Sequence, residues 1–188
     1  MNDQEFLDIL KTRKSIRRYK PDPVPEDMLD KILEAARWAP SSMNNQPWRI
    51  LFARRSGEQW PLFYDLLSDS NKIWCDRAAV LVLIVSCTTF SSGIFCRTHS
   101  FDSGAAWMSL ALQGSMRGYV VHGMQGFDYE RARAGLDIPD NFGVEAMVAI
   151  GLPGRIEELP DQLQARETPN DRRPLSQSIC EGVFCFPE

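Results

Sequence analysis

The chain has 188 residues and a mass of 21.4 kDa, with 44% apolar residues, 24% charged residues and a net charge of -4. That length accommodates one domain with a real core, here 1–188, and leaves little for a second. The composition is that of an ordinary globular protein, and a pI near 5.3 excludes a global field that would attract nucleic acid or an anionic membrane. Asn2-Asp3-Gln4-Glu5 has neither the basic nor the apolar region of a signal peptide. The longest apolar run, Ala78 to Val85, is far too short to cross a bilayer. The five cysteines are odd in number and form no CxxC pair, so free thiols in a reducing cytoplasm are expected.

In chain order, Asn2 and Glu5 have capping-box spacing and open a helix with Phe6, Ile9 and Leu10 on one face. The helix leads into a local cluster of six Lys or Arg residues between positions 11 and 20. Arg13 and Arg17 project to one side whether this run is helical or extended; Ser15 joins them only if it is extended. Pro25 suits the first position of the next helix, whose buried stripe is Met28, Leu29, Ile32, Leu33 and Ala36. Pro40 ends it, and Ser41 to Pro47 form a loop of short side chains that bond neighbouring backbone. Pro47 predicts an extended Gln46, followed by a strand over 48–53.

A helix is predicted over 57–68 and a loop over 69–76 that carries Trp74. Ala78 to Val85 reads as a strand covered on both faces. Residues 88–100 are small and polar and read as a mobile loop or lid. A helix over 101–117, apolar almost all round, belongs in a core or an interface. Strands are predicted over 119–122 and 144–152, with a short helix between them that Asp128 caps and Gly135 ends. The terminal stretch from Ile179 to Phe186 is apolar, and Cys180 and Cys185 in it read as packing residues.

Several chemistries have no signature. Gly118 and Gly123 have P-loop spacing, but Met124 stands where lysine is required. No GxGxxG follows a strand, and no GxSxG elbow is present. His99 and His122 are the only histidines and lack metal-ligand spacing, so each reads as a hydrogen-bonded structural residue. What remains is positive charge beside a polar loop. Arg13, Lys14, Arg17 and the Ser15 hydroxyl could chelate a phosphate monoester. Alone, the basic run equally reads as a solvated face, and the loop as a structural turn.

Thr12-Arg13-Lys14-Ser15-Ile16-Arg17-Arg18-Tyr19 followed by Pro23-Val24-Pro25 resembles the opening motif of the FMN-dependent nitroreductase family. Ala35 to Trp48, containing SSMNNQPW, is similar to its second motif almost residue for residue. Gly104-Ala105-Ala106, Leu136 to Pro139, Ala149 to Pro153 and Arg172 to Leu175 follow in the same order. The resemblance implies an α+β fold: three α-β-α layers around a mainly antiparallel sheet, in an intertwined homodimer with FMN sites at the subunit interface.

It further implies that Arg13, Lys14, Ser15, Arg17 and Arg172 hold the FMN phosphate and ribityl chain. Pro40, Ser41, Ser42 and Asn44 would reach the flavin of the other subunit. Met124, Gln125 and Gly126 would lie beside the isoalloxazine ring. The implied activity is NADH- or NADPH-dependent reduction of a nitroaromatic, quinone or related small-molecule acceptor through flavin N5, with no catalytic side chain. A flavin enzyme with another small substrate (aldehyde or enone reduction, dehalogenation) and a non-catalytic FMN-binding or sensing protein are the alternatives.

Overall fold

The computed structural model describes residues 2–168 and 170–186. Helix α1 (Asp3–Thr12) opens on the expected capping box: the Asn2 side chain accepts from the Glu5 N–H, and Glu5 accepts from the Asn2 N–H. Helix α2 (Glu26–Arg37) buries Leu29, Ile32 and Ala36, with Pro25 standing just before it as the N-cap. Four strands then form one antiparallel sheet: β1 (Trp48–Arg54), β2 (Val80–Cys87), β3 (Val120–Met124) and β4 (Phe142–Gly151), in the order β1-β2-β4-β3.

Residue alternation on the central strand β2 divides the interior into two cores. Val80, Val82 and Ile84 face α2 and the long helix α5 (His99–Met116). Leu81, Leu83 and Val85 face the other side, under α3 (Trp60–Leu66), α4 (Asp69–Cys75) and α6 (Tyr129–Gly135). Because both faces are covered, β2 is apolar from Val80 to Val85. This is the three-layer α+β arrangement that the sequence predicts. The Asp128 side chain caps α6 by accepting from the Arg131 N–H, as its position required.

The structure differs from expectation at four places. The 69–76 stretch is helical, because Ser68 O accepts the Asn71 and Lys72 N–H groups and starts a turn. Gln46 has φ 47°, so it is left-handed and not extended; Met43 and Asn44 share that region at 50° and 55°. The 88–100 stretch is tied by a Thr89–Phe95 bridge and by the Cys96 N–H donating to Thr88 O, with Cys96 buried. Cys180 and Cys185 are joined in a disulfide and are exposed, so they are neither free thiols nor packing residues. Among the described residues no helix is long and apolar enough to cross a membrane.

Candidate cofactor site

The cationic run leaves α1 in an extended conformation, with Arg13 at φ -63°, ψ 114° capping the helix through its N–H to Ile9 O. Five residues later the chain is pinned to the end of β4. Lys20 N–H donates to Leu152 O, Gly154 N–H donates to Arg18 O, and Tyr19 bridges Pro153. Tyr19 is buried beneath this junction, stacked on Trp74, with its hydroxyl donating to Ala149 O at 3.3 Å. Gly154 is obligatory there, since a Cβ would sit 2.7 Å from Tyr19 O. The segment between these two anchors is therefore held as one wall of a cavity.

That cavity has a volume of about 690 Å³, within the usual range for a small-molecule site. Arg13, Lys14, Ser15 and Arg17 line it from the first segment, and Arg166, Glu167 and Arg172 from the last third of the chain. Ser15 does join the arginines, as an extended run requires, and accepts from Arg13 Nη1 at 3.3 Å. Arg13 Nε is buried without a hydrogen-bond partner. Burial, and then the like charge of Arg172, push the Arg13 pKa down. A buried orphan donor and two crowded guanidiniums are both costly until an anion meets them. The donor set fits a phosphate monoester.

Arg17 lies on the same wall but is already engaged. Glu167, whose side chain is 2% exposed, accepts from both its backbone N–H at 3.1 Å and its Nη1 at 3.4 Å. His122 reaches the cavity from β3. It hydrogen-bonds Ile16 O through Nδ1 at 2.9 Å and packs on Trp74 with ring centroids 4.6 Å apart. Burial pushes its pKa down to about 4, so the ring is neutral near pH 7. The hydrogen bond that its sequence position suggested is present; its place on the cavity wall was not foreseen. No sequence spacing singles out Glu167, which meets Arg17 across 150 positions.

The other expected contributors stand apart. None of Pro40, Ser41, Ser42 and Asn44 lines this cavity. Their loop is anchored elsewhere: the Ser42 N–H donates to the buried Asp102 carboxylate at 3.1 Å, and the Gln46 N–H donates to Ser41 Oγ at 3.0 Å. Three non-glycine residues in the left-handed region make it a strained loop held by its surroundings. Met43 at its tip is 88% exposed. Met124, Gln125 and Gly126 do not line the cavity either. The Met124 side chain serves the core, 3.6 Å from Cys75 Sγ, while Gly126 O accepts from the Ser68 N–H and from Asn71 Nδ2.

Residues 10–86 match the sequence model of the nitroreductase family. The NADH dehydrogenase of Thermus thermophilus is 31% identical over 172 residues, an overlap spanning 75% of this chain and 83% of that protein. A solved oxidoreductase described as containing FMN is 44% identical with a TM-score of 0.92, covering 95% of this chain and 92% of its own. A nitroreductase family protein from Clostridium difficile shares the fold at a TM-score of 0.75 and 22% identity, covering 98% and 100%.

Proposed function

The chain belongs to the nitroreductase family, and on that premise we infer that it is an FMN-dependent oxidoreductase that takes electrons from NADH or NADPH and reduces a nitroaromatic, quinone or related electrophile. The observation that carries this reading is the buried, unpartnered Arg13 Nε crowded by Arg172 in a cavity of cofactor size. Arg13, Lys14, Ser15 and Arg172 would hold the FMN phosphate. When bound, FMN supplies the redox chemistry, with its N5 as the site of hydride transfer in a ping-pong cycle. The protein's part is to bind, orient and stabilise negative charge with fixed donors, so no side-chain acid or base is assigned.

The polar loop fits this reading as the contribution to a second site. Helix α5 presents Phe101, Gly104 and Met116 outward beside the half-buried Met108, with Phe101 81% exposed, and α1 adds Phe6 and Leu7. An apolar stripe of this kind on a long helix supports an isologous homodimer. In it Pro40, Ser41, Ser42 and Asn44 would complete the partner's flavin pocket. Residues 1–188 would act as one domain, since both cores share the one sheet. Use of NADH or NADPH supports a cytoplasmic setting, although the Cys180–Cys185 bond is unusual in a reducing compartment.

The visible spectrum of the purified protein tests the reading. Flavin bands that NADH or NADPH bleaches, and that a quinone or nitroaromatic restores, are expected. Flavin bands that neither nucleotide bleaches favour a binding or sensing protein, and failure to take up added FMN overturns both. Sedimentation should give a species of twice 21.4 kDa; a monomer would remove the shared-site assignment.

A further inference from the structure

Glu167 is a buried carboxylate in a cavity wall that carries Lys11, Arg13, Lys14, Arg17, Arg166 and Arg172, with Asp171 as the other acid. Glu167 Oε1 accepts from the Arg17 N–H and Nη1, and its Oε2 accepts from Arg18 Nε at 3.4 Å. Arg17 faces the cavity, whereas Arg18 turns out of it and donates to Gly154 O at 3.0 Å. One negative charge thus stands between two guanidiniums. At the same cavity Arg13 and Arg172 are crowded by like charge. The Arg17 N–H needs only an oxygen acceptor, which a neutral amide also provides. The charge on Glu167 goes beyond what that acceptor role requires, because it also offsets the guanidinium that faces the cavity.

We propose that Glu167 sets the charge that the cavity presents to its ligand. By cancelling Arg17 it lowers by one unit the positive charge that Lys11, Arg13, Lys14, Arg166 and Arg172, partly offset by Asp171, present to a phosphomonoester dianion, and it selects against ligands of higher negative charge such as a diphosphate. This rests on the cavity being the phosphate end of the FMN site. A unit charge removed at this range alters anion affinity by roughly tenfold for each added ligand charge, less at high salt.

The test is Glu167→Gln in the full chain freed of flavin. The substitution keeps an acceptor for the Arg17 N–H and removes the charge. Calorimetric titration with FMN, riboflavin, inorganic phosphate and pyrophosphate is compared with the parent protein. FMN should bind at least as tightly, riboflavin unchanged, and the preference for pyrophosphate over phosphate should rise roughly tenfold. Equal losses for FMN and riboflavin would make Glu167 a brace and overturn the proposal, as would an unmoved pyrophosphate preference. If the Gln variant does not fold, Arg17→Gln in the parent should weaken pyrophosphate binding more than riboflavin binding, and equal effects overturn it. A parent protein that binds phosphate but no FMN refutes the flavin assignment alone, because the phosphate ratio still reports on Glu167.

Discussion

Truncating Arg13 should separate binding from stability, since this residue is better suited to a ligand than to the fold. In the flavin-free protein Arg13→Ala removes a buried N–H without a partner and relieves the crowding with Arg172. An unsatisfied buried donor costs about 1–3 kcal/mol. Against that stand the packed stem of the side chain, worth about 1 kcal/mol, and a long hydrogen bond from the guanidinium to Ser15 Oγ at 3.3 Å. The two sides nearly cancel, so the melting temperature without FMN should be unchanged or slightly higher. With FMN the balance is one-sided. A hydrogen bond to a charged group contributes about 1.5–3 kcal/mol, which is roughly a 10- to 150-fold loss of affinity. Flavin fluorescence gives the Kd, and calorimetry of flavin-free protein gives the melting temperature. A lowered melting temperature with unchanged FMN affinity would refute the reasoning, because Arg13 would then be part of the scaffold.

Three further outcomes are expected. His122 is held near pKa 4 when folded against about 6.5 unfolded, so it contributes stability above pH 6.5 that is lost as pH falls toward 4, on the order of 3 kcal/mol. His122→Asn, which keeps a donor for Ile16 O, should flatten that part of the melting curve against pH; parallel curves from pH 6.5 to 4 would exclude His122 as its source. Asp102→Ala strips the acceptor from the Ser42 N–H and Thr98 hydroxyl, and should cost about 1–3 kcal/mol in urea unfolding, with a smaller loss in Asp102→Asn. Faster amide exchange confined to residues 41–46 in the Asn variant is the local signature, and unchanged exchange there would show that the loop is fixed by other contacts. Gly154→Ala drives a methyl to 2.7 Å from Tyr19 O, backbone that cannot swing aside, and should cost about 1–3 kcal/mol or more. Because this junction anchors the cationic segment, FMN affinity should fall as well. Retained affinity in a destabilised variant would show the segment to be fixed from α1 alone.

The sheet and its layers were legible because local pattern and burial agree. The unbroken apolar run of β2 implies cover on both faces, and the stripe on α2 fixes which side of that helix meets the sheet. The 69–76 stretch misled because its first four residues, Asp69 to Lys72, are all polar, and the short helix buries only Trp74 and Cys75. Two residues give no readable period. Gln46 misled for a different reason. The residue before a proline prefers extended backbone, but here the Gln46 N–H closes onto Ser41 Oγ while its side chain bonds Asn44 O. These local bonds outweigh the steric preference.

The site was legible only as far as its groups lie near one another in the chain. Arg13 and Arg17 share a side in either local conformation, a relation the sequence displays directly, and Ser15 joins them because the segment is extended. Glu167, Arg172 and His122 come to the same cavity from a short 3-10 turn (Ala165–Glu167), from the segment after it and from β3, and no spacing encodes that meeting. The consequence concerns Arg17. Read from the sequence it is one more cation for a phosphate; beside Glu167 it is a cation already half satisfied. On the proposed reading the phosphate would fall to Arg13, Lys14, Ser15 and Arg172, of which Arg13 is left unpaired at Nε and crowded by Arg172. The number of positive residues in the motif overstates the charge available to the ligand. The acid that makes the difference lies 150 positions away.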